Sequence, residues 1–150
     1  MTWTEVVQIM AGFVGSLGFA ILFNIRGKRL AAAAVGGLFS WLLYVLLSDC
    51  ITGEVVVYFV VACIISLYAE LMAVWLKTPT TTFIITSLIP LIPGSSLYYT
   101  MTSAFQSDPT VFLQRATHTL QLAVALALGI IAVTTLARLS NRVLRRLHRQ

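Results

Sequence analysis

The sequence predicts an all-α, polytopic membrane protein with about five transmembrane helices, and three observations carry that prediction. First, 59% of the 150 residues are hydrophobic and only 10% are charged, whereas a soluble domain carries about 25% charged residues; the mean hydropathy of +0.92 points the same way. Second, the charges are confined to a few places and leave uncharged runs at 6–25, 30–48, 55–69, 78–107 and 116–137. A hydrocarbon core about 30 Å thick takes about 20 helical residues to cross, so residues 1–150 read as a single transmembrane domain. Third, lysine and arginine sit at alternate ends of these runs, as expected when translocating positive charge is disfavoured. With the N-terminus outside, nine basic residues fall inside and only Arg115 falls outside, while Glu5, Asp49, Glu54 and Asp108 are all outside. The expected topology is five crossings, N-out and C-in.

The first run is expected to stay in the mature protein. A secretory signal has a basic leader and an apolar stretch of about 7–15 residues, but here the leading charge is Glu5 and the run lasts twenty residues. Its Gly12, Gly15, Ser16, Gly18 and Ala20, and the Ala31–Ala34, Gly36 and Gly37 of the second run, have the small-residue spacing that lets helices approach closely in lipid. Asn24 reads as the terminus of the first helix. The third run holds Cys63 at mid-span and the acidic Glu70 toward its end, on a stripe with Ala62, Ser66, Ala73 and Lys77 at helical spacing. Cys50 falls in an outer loop, so an intrachain disulfide with Cys63 is not expected.

The fourth run needs an interruption, because its thirty residues would reach about 45 Å as one straight helix. Pro90-Leu91-Ile92-Pro93-Gly94 supplies it: prolines remove backbone donors and glycine tolerates the positive φ that ends a helix. Two half-helices meeting at a break are expected, within a segment that still crosses; a re-entrant hairpin would put the arginine-rich tail on the wrong face. After the fifth run, residues 138–150 set Leu139, Val143, Leu144 and Leu147 against five arginines, the pattern of a short amphipathic cytoplasmic helix on the inner leaflet.

Composition also narrows the partners. The net charge of +5 comes from basic clusters flanking apolar spans, which serve topology and contact with anionic membrane lipids; nucleic acid is not expected as a partner. No motif for catalysis, cofactor or metal binding is present, and His118 and His148 lie at opposite ends of the fifth run. The chain therefore reads as not an enzyme. Two features could carry function. A carboxyl within a span costs a few kcal/mol unless it is paired, protonated or facing water, so Glu70 is a proton-coupling candidate, with a neutral packing carboxyl as the alternative. The break is the other: a discontinuous helix presents free amides on one side and free carbonyls on the other at membrane depth. Pro90, Pro93 and Gly94, with Ser95, Ser96 and Tyr98 following, are the candidate substrate-binding residues, with a plain kink as the alternative.

These same residues carry a family resemblance. Tyr68-Ala-Glu70-Leu-Met-Ala73, Lys77-Thr-Pro79, Phe83, Ile89-Pro90-Leu-Ile-Pro93-Gly94-Ser95 and Tyr98, with Gly18-Phe-Ala-Ile-Leu-Phe23-Asn24 and Gly36-Gly37 before them, resemble the threonine/serine exporter family, in its shorter, C-terminal-type half. Val74 departs from the pattern, since arginine often follows the Glu-x-x-Ala in that family. The resemblance implies a secondary exporter of small polar metabolites in the cell membrane. Threonine- and serine-like amino acids or dicarboxylates are the implied substrates and protons the implied drive. The chain would be the small subunit beside a larger membrane subunit of the same family. A non-transporting accessory scaffold and a homo-oligomeric channel are the competing readings.

Overall fold

The computed structural model describes residues 2–105 and 108–147, with side chains to residue 140. It comprises α1 (Trp3–Leu22), α2 (Lys28–Cys50), α3 (Glu54–Leu76), α4 (Thr80–Leu88), α5 (Gly94–Ala104) and α6 (Pro109–Leu147), with one 3-10 turn at Ile89–Leu91 between α4 and α5. α1, α2, α3 and the Pro109–Ser140 part of α6 are each long and apolar enough to cross a membrane, and α4 with α5 forms a bent pair that would make a fifth span if it crosses as one unit. The protein is thus an all-helical, multi-pass membrane protein.

Local chemistry sets the helix ends. Thr2 and Glu5 close a capping box on α1, the Thr2 amide donating to Glu5 Oε2 at 2.8 Å and the Glu5 amide to Thr2 Oγ1 at 3.4 Å; each contact satisfies a donor that the first turn leaves unpaired. Asn24 stops the helix as expected, with its backbone in the left-handed region at φ 58° and its Oδ1 accepting from Arg26 Nε at 3.0 Å. Gly27 and Gly53 precede α2 and α3 at φ 65° and 125°, values that a side chain would make strained. At the other end of α3, Arg29 Nη2 donates to the Leu76 carbonyl at 3.4 Å, placing a cation on the negative end of the helix dipole.

α3 is the hub of the packing: it contacts α2, α4 and α6, while α1 lies on α2 and α5 lies on α6. Its face of Val57, Val61, Ile65 and Ala69 is fully or nearly fully buried, together with Phe83 of α4, Leu91 of the turn and Leu122 of α6. The small residues work at three of these interfaces. A Cβ at Gly37 would overlap Ser16 of α1, one at Gly36 would come within 2.9 Å of Tyr68, and one at Gly129 would sit 2.7 Å from Ala62 Cβ. Gly15 and Gly18, although part of the expected pattern, have open space around them. α6 continues past Arg138 to Leu147 as a single helix of 39 residues. The expected amphipathic face of the basic tail depends on side chains outside the described residues.

Candidate functional site

The break between α4 and α5 follows directly from its prolines. Pro90 cannot donate to the carbonyl four residues back, at Thr86, and its ring disfavours continued helix. The chain tightens into the 3-10 turn, with the Ile92 amide donating to Ile89 O at 3.2 Å and the Gly94 amide to Ile92 O at 2.6 Å. α5 then leaves at 56° to the axis of α4. One expectation is corrected here: Gly94 is not among the positive-φ residues. It opens α5 in ordinary helical geometry, and a Cβ there would meet nothing within 4 Å. The prolines alone make the break.

The six candidate binding residues do not converge on one cavity. Pro90 lines a crevice of about 270 Å³ with Gln8, Gly12 and Trp41, facing α1 and α2. Pro93 is half-buried and Gly94, Ser95 and Tyr98 are exposed; Tyr98 stacks edge-on with Tyr99 at 5.6 Å. Ser96 alone of the six turns toward α6, where it helps to line an open cleft of about 710 Å³.

That cleft is lined largely by polar side chains. Its walls include Tyr99 from α5 and Gln114, Arg115, His118 and Gln121 from α6. Arg115 is held against α5, its Nη1 donating to the Tyr99 carbonyl at 3.2 Å and its guanidinium carbon lying 5.9 Å from the Tyr99 ring centroid. Thr100 and Thr119 hydroxyls meet at 2.9 Å across the same interface. The sequence signal for this wall was present: 114, 118 and 121 share one face of a helix. In sequence, however, Arg115 reads as a loop charge and the remainder as an uncharged apolar run.

Glu70 lies near the opposite end of α3, half-buried, and its Oε2 accepts from Thr80 Oγ1, the first residue of α4, at 3.2 Å. The carboxyl therefore ties α3 to the start of the broken helix, away from the cleft-lining residues. Ala62, Ser66 and Ala73 of its proposed stripe are buried, while Lys77 is exposed and takes the left-handed conformation that ends α3.

No curated protein and no solved structure matches the chain. Residues 8–136 match the family described as "Threonine/Serine exporter, ThrE", a span that includes the break, the cleft and Glu70. The chain belongs to the threonine/serine exporter family.

Proposed function

We propose that the protein is one subunit of a proton-coupled secondary transporter that exports small polar metabolites, threonine- and serine-like amino acids or dicarboxylates, across the cell membrane. The observation that carries this reading is the polar cleft of about 710 Å³ beside the helix break, within the range of about 300–1,000 Å³ usual for small-molecule sites. Pro90 and Pro93 set the course of α5, Ser96 enters the cleft, and Gly94, Ser95 and Tyr98 form the open side of α5. A larger subunit of the same family would complete the path there. Glu70 is the proposed proton-coupling carboxyl, because protonation would remove a charged acceptor from Thr80 at the root of the broken helix.

The test is efflux of labelled threonine from proteoliposomes under a pH gradient, with and without the larger subunit. The expected result is export only with both subunits and the gradient. A scaffold would give none, and a channel would need neither partner nor gradient. In the same system Glu70→Gln, which keeps size and hydrogen bonding, should insert normally and lose gradient-driven export. Normal export with the usual pH dependence would make Glu70 structural. In intact cells, an impermeant maleimide should label Cys50 and not Cys63 if the topology is N-out.

A further inference from the structure

Three helices share a polar cluster beside the cleft. From α2, Tyr44 Oη donates to Glu54 Oε1 at 3.3 Å; Glu54 opens α3, and its Oε2 lies 3.4 Å from His118 Nε2 on α6. The carboxylate sits on the first turn of its helix, where the dipole favours negative charge. The His118 and Glu54 side chains are 44% and 41% exposed, open enough for a proton to reach them. His118 lines the cleft of about 710 Å³, whereas Glu54 and Tyr44 line a second open cavity of about 380 Å³ with Ser48 and Asp49. The pair therefore stands between two cavities.

The other titratable groups around it are few. Asp49 of α2 lines the second cavity, Tyr58 of α3 packs edge-on against Tyr44 at 5.5 Å, Tyr99 lines the cleft from α5, and Arg115 lies one turn before His118, turned onto Tyr99. The charged group that His118 contacts is the Glu54 carboxylate. Histidine is the side chain whose ordinary titration falls between about pH 5 and 8. An imidazolium makes a charge-assisted bond to a carboxylate that is roughly twice as strong as a neutral one. A neutral imidazole either donates more weakly or, in its other tautomer, sets lone pair against lone pair.

From this geometry we infer that His118 carries a proton in the transport cycle, with Glu54 as its counter-ion and the pair as a protonation-dependent tie between α6 and α3 at the mouth of the cleft. This inference rests on the proposed transport role. The proton is taken from water at Nε2 and returned to water, with no other bond made or broken. When His118 is charged the pair holds this end of α6 to α3. When His118 is neutral the contact loosens.

The experiment uses the assembled two-subunit protein in liposomes, with Cys50 and Cys63 of this chain replaced by serine and Leu122→Cys, one turn after His118 and fully buried, as a probe of the α3–α6 contact. Maleimide labelling is normalised to the same cysteine in a His118→Gln background, which removes the thiol's own pH dependence. The normalised rate is expected to rise by up to about fivefold between pH 5 and 8, the size of effect an exposed ion pair can exert. Glu54→Gln should abolish the rise, since its amide still accepts from Tyr44 but pairs no charge, and Glu70→Gln should leave it intact. A flat normalised rate, or a rise that survives Glu54→Gln, overturns the inference. Export is measured in parallel: a wild-type protein that labels as expected but does not export threonine sinks the transport reading instead.

Discussion

The two halves of the broken helix are neighbours in sequence and opposites in packing. α4 is wedged against α2 and α3 and buries Phe83, Ile84, Thr86, Ser87 and Leu88 of its nine residues. α5 touches only α6 to any extent, burying Thr100 and Ser103 while Leu97, Tyr98, Tyr99 and Met101 stay exposed. A straight helix would have to pack along its whole length on one set of neighbours. The break lets the first half serve as a fixed anchor while the second crosses to α6 and forms one wall of the polar cleft. The difference teaches that the residues most essential to the fold and those best placed for function lie on opposite sides of Pro90.

One test of that contrast is on the anchored side. Gly36 faces Ser87 and Tyr68, with no room for even a Cβ, so Gly36→Leu forces α2 away from α4; overpacking costs about 1–3 kcal/mol and sometimes more. The expected outcome is failure to accumulate a monodisperse protein in detergent, read by size exclusion. Gly94→Leu, on the free side, should leave thermal unfolding unchanged, because open space surrounds it and its φ needs no glycine. Loss of export in that folded variant would place the substrate path along α5, and full export would take it elsewhere.

Phe83→Ala empties a site that is 0% exposed and is expected to cost about 3–5 kcal/mol, measurable by denaturant titration in micelles. Tyr98→Ala, at 64% exposure, should stay within about 0.5 kcal/mol. Equal effects at the two positions would erase the contrast between the halves.

Pro90→Ala restores a donor for Thr86 and should straighten the 56° bend without unfolding either half. Spin labels near 82 and 102 would report a longer separation, and an unchanged distance would mean that tertiary contacts hold the bend without the proline.

The smallest effect concerns how the partner of α5 begins. Asp108 Oδ1 accepts from the Thr110 amide at 2.9 Å and from the Thr110 hydroxyl at 2.6 Å, and the hydroxyl and then the amide hold its carboxyl below the ordinary aspartate range. A depressed carboxyl adds stability that is present above the unfolded value, about 3.9, and disappears as pH falls through the folded value. Asp108→Ala should therefore lower the melting temperature slightly at pH 7 and progressively less in acid. A deficit that grows on acidification would contradict this role for the cap.

How much of this was legible depended on the range of each interaction. Uncharged run lengths, Asn24 at the end of α1 and the proline pair at 90 and 93 speak through local rules: burial in lipid demands satisfied backbone, and proline removes a donor wherever it stands. The long apolar helices and the break in the fourth run follow from the sequence alone. Three things were decided only in the tertiary structure. Gly94 looked like the pivot because glycine permits a positive φ, but with the bend already made by proline the backbone has no need of one. The six candidate residues around the break looked like one site because they are close in the chain, yet the 56° bend puts them on two segments with different neighbours, so Pro90 faces α1 and α2 while Ser96 faces α6. His118 and Glu54, 64 positions apart in the chain, looked like separate boundary residues. They meet because Gly129 lets α6 lie close on α3, and close approach between distant segments is a property of the packed helices that no local pattern encodes.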